Sequence, residues 1–392
     1  MFSARLKDIL VPSETLAHQL DAQYRLALGQ LLRDVTSAHR SPPVIFSKMR
    51  GAFPSDVVEY GADLKAQSQS PSDHAVIQHS PQLHALHYEW YFTPSGANEI
   101  SREFVSSRTV TVCMGVPTVA SAAIREHKAV IFIDKNAQSL VRFPELMHAS
   151  EIHIMDAARA GGVGPKADVL IFDPPWYAAD TIAWLEAASH LVRPGGTIVF
   201  ALYPSLVRPT AMLERDLILE IASALGNVGV MEDALAYETP FFEHEALKAC
   251  GVYAGDWRHG DLVVIKDVMP VGSLFSSAPC RAEIDGSWKT FLIGPQVVKL
   301  RNRSTRSADV LLSPIGDSFI FPAVSARNGT RDRIHVWTSK NRVAGVGNTQ
   351  ALSDILNEIA GGACLDSAVQ RHERRFGIDI RVQLNEFLGL ES

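Results

Sequence analysis

Five short apolar runs punctuate the middle of the chain: TVTVCMG (109–115), AVIFIDK (129–135), EIHIMDA (151–157), DVLIFDP (168–174) and GTIVFALYP (196–204). Each is rich in β-branched residues and too brief for a buried helix, so each predicts a strand. Segments of helical character lie between them, such as PTVASAAIREH and YAADTIAWLEAASHLV. Apolar strands alternating with helices are the mark of a parallel sheet covered on both faces. A helix over 210–225 and a late strand, DLVVIKD (261–267), extend this to an expected seven-strand α/β pattern, six of whose strands are located here.

The flanks differ. Leu16, Leu20, Tyr24, Leu28 and Leu31 recur at helical spacing and predict a helix over 14–39, with Ser13 placed to cap it. The polar stretch AQSQSPSDHAVIQHSPQ (66–82) reads as a linker, so residues 1–82 form a helical N-terminal region and 83–268 the α/β domain. Beyond it, FLIGPQVVKL, ADVLLSP, DSFIFPAV and DRIHVWTS predict short strands. QALSDILNEIAGG, LDSAVQRHERRFGI and VQLNEFLGL predict helices, making 269–392 a β-plus-α module.

Composition narrows the class. With 46% hydrophobic and 20% charged residues, the chain belongs with folded globular proteins. Its net charge of −6 argues against a surface that coats nucleic acid throughout. Residues 270–392 nevertheless hold 15 Lys/Arg against 12 Asp/Glu, so the appended module is the basic part. Four scattered cysteines form no CxxC pair, and no apolar run reaches the length of a membrane span. A reducing, cytoplasmic home without membrane or metal is expected. His84 and His87 stand at i,i+3 without further ligands and read as ordinary core or surface histidines. No Ser/His/Asp or Cys nucleophile arrangement stands out.

Chemistry gathers where the strands end. In an open α/β sheet ligands bind outside the carboxyl ends of the strands. The first run leads into Met114-Gly115-Val116, where a glycine lets backbone approach a ligand. Asp134 ends the second, about twenty residues on, where an acid can accept both hydroxyls of a ribose. Asp156 ends the third and Asp173 the fourth. Each aspartate alone also reads as a turn or helix-cap residue. Three in succession favour a ligand. The absence of GxG spacing leaves no pyrophosphate cradle, so a nucleoside without phosphates fits better than a dinucleotide.

This arrangement resembles the Rossmann-like class I S-adenosylmethionine-dependent methyltransferases over about residues 88–268. The resemblance implies that Met114, Gly115 and Val116 border the methionine moiety of S-adenosylmethionine. Asp134 would then hold the ribose and Asp156 the adenine amine. Asp173-Pro174-Pro175-Trp176 matches the (Asn/Asp/Ser)-Pro-Pro-aromatic motif of methyltransferases that act on planar or exocyclic amines. The acid and the Pro174 carbonyl can accept hydrogen bonds from an –NH₂ group, and locked proline φ values aim that carbonyl. Trp176, or Tyr177, can stack on a flipped-out base. The plain alternative is a strand-ending turn with a buried tryptophan.

The acceptor is less constrained. The cofactor loop precedes DPPW, as in loop-first bacterial DNA adenine methyltransferases. In the eukaryotic mRNA adenine-N6 enzymes, by contrast, the likeness stops at the tetrapeptide. A DNA or RNA acceptor would meet the basic module, with Arg301, Arg303 and Arg306 of KLRNRSTR on phosphates or simply solvated. HYEWYFTPSGANEI (87–100) ahead of the first strand also resembles the branched-polyamine synthases, which transfer aminopropyl from decarboxylated S-adenosylmethionine. Their acidic loop is missing here, since Val-Pro-Thr follows Gly115. Under either reading Tyr88, Trp90, Tyr91 and Phe92 would roof the pocket, and Glu243 and Trp257 would border the acceptor. A third reading is a methyltransferase-like scaffold that binds a partner through 269–392.

Overall fold

The structure is a computed structural model. It describes residues 89–205, 207, 210–240, 256, 258–269, 288–294, 296–302, 310–316, 319–321, 329–376 and 380–389. The expected helix over 14–39, the linker, Tyr88, His84, His87, Glu243, Trp257, Arg303 and Arg306 lie outside them. Trp90–Thr239 with residues 256–269 form one compact unit, and residues from 288 onward another.

The first unit is built on a seven-stranded sheet. Its strands are β1 (Thr111–Met114), β2 (Val130–Asp134), β3 (Glu151–Ile154), β4 (Ala167–Phe172), β5 (Val192–Leu202), β6 (Asn227–Tyr237) and β7 (Arg258–Val268). Their order is β3-β2-β1-β4-β5-β7-β6. β1 to β5 run parallel, and β7 inserts antiparallel between β5 and β6. This is the Rossmann-like α/β sheet that the sequence predicts. The chain steps from β1 outward to β3 and then returns to place β4 on the other side of β1. The switch in direction therefore falls between β1 and β4, where such sheets open a crevice for ligands.

Alternation along each strand sends side chains to two cores. On one face Met114, Ile133, Phe172 and Phe200 pack under helices α4 (Ala178–Leu191) and α5 (Ala211–Leu225). On the other, Cys113, Phe132, Ile171 and Val199 pack under α1 (Pro94–Phe104) and α2 (Pro117–Arg125). A short helix, α3 (Gln138–Arg142), follows β2. Thr93 caps α1, accepting from the Gly96 N–H, with Pro94 in the first turn where no N–H is needed.

β6 is the strand that the apolar-run reading does not locate. Most of its residues are exposed, and it breaks register between Met231 and Leu235. As an edge strand paired over most of its length on one side only, it has little to bury except near Leu235 and Tyr237. Residues 91–93 pair antiparallel alongside its end: Phe92 bridges Tyr237, and the Thr93 N–H donates to the Ala236 carbonyl at 2.9 Å.

The second unit is an antiparallel sheet ordered β10-β12-β11-β9-β8. It comprises β8 (Trp288–Ile293), β9 (Gln296–Arg301), β10 (Leu312–Pro314), β11 (Val336–Thr338) and β12 (Val343–Val346). Helices α6 (Thr349–Ala360), α7 (Leu365–Phe376) and α8 (Ile380–Leu388) share one core with Phe291, Val298, Leu300 and Val336. β12, VAGV, is a strand too short and plain to announce itself. Of the run expected over 317–324, the described part makes a single bridge, Ile320 to Arg342.

Candidate active site

The strand register lines up the expected groups. Met114 pairs with Ile133 on one side and with Phe172 on the other, so Gly115 lies between Asp134 and Asp173 in one row. Gly115 takes φ +64, and its N–H donates to the Ile133 carbonyl at 2.8 Å. A Cβ there would stand 2.5 Å from the Trp184 ring, and the Asp173 carbonyl would be 3.5 Å away. Conformation and crowding both demand glycine. Met114 and Val116 point into the two cores, so neither offers a side chain to a ligand.

Asp134 and Asp156 serve their own loops. Asp134 is almost fully buried; Oδ1 accepts from the Asn136 N–H at 2.8 Å and Oδ2 from the Ser139 hydroxyl at 3.1 Å. Burial outweighs those donors and pushes its carboxyl above the usual range. Asp156 caps the 3₁₀ turn Ala157–Arg159, with Oδ1 accepting from the Ala158 N–H at 2.9 Å. Its Oδ2 has no protein partner among the described residues. Both therefore do the turn and cap work open to any such aspartate. Each carboxylate oxygen still keeps acceptor capacity beyond one bond.

The Asp-Pro-Pro-Trp stretch leaves β4 toward α4. Pro174 is buried and Pro175 exposed, and the Tyr177 N–H closes onto the Pro175 carbonyl at 2.6 Å. That tight turn presents Trp176. Among the described residues no hydrogen bond is made to the Pro174 carbonyl. Asp173 keeps partial exposure, yet burial of its carboxyl pushes its pKa up to about 8. Two neighbours pull the other way: the Tyr237 hydroxyl, donating to Oδ1 at 3.1 Å, and the Arg258 charge. Tyr237 itself is held far above the phenol range, first by burial and then by Asp173, so it remains a donor.

Aromatic rings gather about Tyr237, the partner of this acid. Trp176 meets Tyr237 edge-on, with centroids 5.6 Å apart at 81°, and Tyr203 at 6.4 Å. Phe92 packs on Tyr237 at 4.9 Å. The Arg258 guanidinium carbon lies 3.6 Å from the centroid of Trp90 and 4.9 Å from that of Trp176. β6 and β7 deliver this group, because Tyr237 and Arg258 are directly paired across them.

Of the expected aromatic roof, Trp90 and Phe92 reach this cluster. Tyr91 does not join them: it is buried edge-on against Phe143 at 5.3 Å, with Arg142 over its ring at 4.5 Å. Alternation along 90–92 explains the split, since neighbours in extended chain face opposite ways. Tyr177 begins α4, its carbonyl accepting from Thr181. Sequence reading misses Tyr237, Arg258, Tyr203 and Trp184. An arginine opening the apolar strand RHGDLVVI is the one local signal; its partners come from residues far off in the chain.

Among the described residues no three His, Cys, Asp or Glu side chains group as a metal site, and no helix is long and apolar enough to cross a membrane.

No family model matches the chain, and no curated protein matches it. Solved structures do. A branched-chain polyamine synthase from Thermus thermophilus, in complex with N4-aminopropylspermidine and 5'-methylthioadenosine, is similar at 12% identity and a TM-score of 0.39. The match covers 48% of this chain and 60% of the synthase, less than two thirds of its length. A putative RNA methyltransferase from Pyrococcus horikoshii matches at 11% identity and TM-score 0.35, over 48% of this chain and 92% of that one. NSun6 from the same organism, with SFG, matches at 17% and 0.30, over 45% and 52%.

Proposed function

We propose that the first unit is an S-adenosylmethionine-dependent N-methyltransferase whose acceptor is a neutral planar amine, the N6 group of adenine in nucleic acid. The observation that carries this reading is the Asp173 carboxyl. It sits at the switch point beside Gly115, hydrogen-bonded by Tyr237, which packs against Trp176, and raised to about 8.

The residues at the strand ends fit the cofactor. Gly115 keeps the loop free of a side chain, Asp134 has acceptor capacity for ribose hydroxyls, and Asp156 Oδ2 is open to an adenine amine. S-adenosylmethionine, when bound, supplies a methyl carbon on a positively charged sulfur. Asp173 and the Pro174 carbonyl hold the acceptor –NH₂ so that its nitrogen faces that carbon. With the methyl group supplied by the bound cofactor, Asp173 would accept the proton that the acceptor nitrogen gives up. A carboxylate raised to about 8 takes that proton far more readily than an ordinary one. Tyr237 fixes the orientation of the carboxylate, and Trp176 provides the ring against which the acceptor base stacks.

The second unit, with 269–392 as its proposed span, would supply nucleic-acid contacts. Arg301 lies 5.1 Å over Trp288, and Lys299 faces the same side two residues earlier. Cations beside a half-buried aromatic suit a phosphate backbone and an unstacked base. Methyl transfer to adenine-containing DNA and RNA, with wild type beside Asp173→Asn, tests the reading. No transfer to any nucleic acid, with transfer to a polyamine from decarboxylated cofactor, would replace it by the aminopropyl reaction. No cofactor binding at all would leave the scaffold reading.

A further inference from the structure

Trp176, Tyr203 and Tyr237 form one aromatic cluster, which Arg258 joins to Trp90 and the Tyr237 hydroxyl joins to the Asp173 carboxyl. Aromatic faces with an acid are the ordinary recipe for holding an ammonium group. Here that position is taken from within the chain. The Arg258 guanidinium lies over both indoles, nearer Trp90, on the strand position paired with Tyr237. Two residues on and on the same side of β7, Gly260 has no side chain. A Cβ there would come within 3.4 Å of the Tyr237 ring and 3.6 Å of Trp176. Arg258 is therefore the cation that this stretch of β7 presents to the cage.

We propose that Arg258 selects the acceptor, filling the cation position of the Trp90–Trp176 cage so that polyamines are turned away and a neutral planar amine is admitted. The inference rests on the reading of Asp173 as the acceptor-binding acid and adds the residue that decides which amines reach it. A guanidinium is planar, permanently charged and stacks on indoles, so a flat neutral ring can slide along it while a polycation meets like charge. The same charge favours the ionised form of Asp173, which ties selection to proton acceptance.

Three variants separate these roles: Arg258→Met removes the charge and keeps the stem, Arg258→Lys keeps the charge without the plane, and Arg258→Gln keeps polarity alone. Spermidine binding is measured by calorimetry on the full chain, alongside S-adenosylmethionine binding as a check on folding. Wild type and Arg258→Lys should bind spermidine at least about tenfold more weakly than Arg258→Met and Arg258→Gln. In Arg258→Met the acid limb of any pH–rate profile should move upward, because a charge that favours the carboxylate is gone. Spermidine binding to wild type as tight as to Arg258→Met overturns the proposal, as does competition between spermidine and an adenine acceptor on wild type. If instead wild type excludes spermidine and Arg258→Met admits it while no adenine substrate is methylated, selection by Arg258 stands and the methyl-transfer reading falls.

Discussion

In the proposed reaction, Asp173 concentrates the chemistry into one protonation. Its carboxyl is raised to about 8, so the folded chain holds a proton there that the unfolded chain releases near the ordinary carboxylate value. Between those two pH values the folded state binds more protons, and stability falls as pH rises through the window. Asp173→Asn removes that contribution. Thermal unfolding followed from pH 5 to pH 8.5 should accordingly decline less steeply in the variant than in wild type. The proposed mechanism gives catalysis the opposite slope, with the ionised form as proton acceptor: activity should climb as pH rises toward and past 8. Asp173→Asn should lower turnover by about 10²-fold or more with cofactor affinity nearly unchanged, checked by single-turnover rates and calorimetry. Asp134→Ala should instead weaken cofactor binding, and its buried loop bonds to Asn136 and Ser139 make some loss of stability part of the outcome.

At the scale of elements, the strand ends hold the site because helices on both faces fix them. Gly115→Ala places a Cβ against Trp184 and strains φ +64, so a cost of about 1–3 kcal/mol is expected in denaturant unfolding. Trimming the ring in Gly115→Ala/Trp184→Leu should recover the crowding part and leave the backbone part. On the same face of the sheet, Arg215 of α5 pairs with Asp261 of β7 at 2.7 Å, and both are nearly buried. Arg215 also donates to the Tyr203 carbonyl, and Asp261 accepts from the Asp233 N–H. Arg215→Ala strands that acid and should cost about 3–5 kcal/mol by the same measurement. The sheet was legible in the sequence wherever a strand is buried on both faces, as in β1, β2, β4 and β5. β6 was not, because an exposed edge strand has no apolar run to read. Within the candidate site, Asp173, Pro174, Pro175 and Trp176 stand out in the sequence because a proline pair with an acid and a tryptophan directly follows an apolar run. Tyr237 and Arg258 complete the same site from an unlocated strand and its partner, and only tertiary pairing joins them to Asp173.

For the whole molecule, charge divides as the chain does: residues 270–392 are net positive and the rest strongly negative. A nucleic-acid acceptor held by the second unit predicts that affinity depends on salt. Arg301→Ala should weaken binding across sequences and reduce the slope of log affinity against log salt by about 1. The central claim is narrower, that a methyl group passes to an adenine amine held at Asp173. It is tested most directly by incubating the full chain with methyl-labelled S-adenosylmethionine and adenine-containing DNA or RNA, then identifying the labelled nucleoside. N6-methyladenosine or its deoxy form, absent with Asp173→Asn, is the predicted result. Label found in another nucleoside, or none in nucleic acid while decarboxylated cofactor alkylates spermidine, would contradict it.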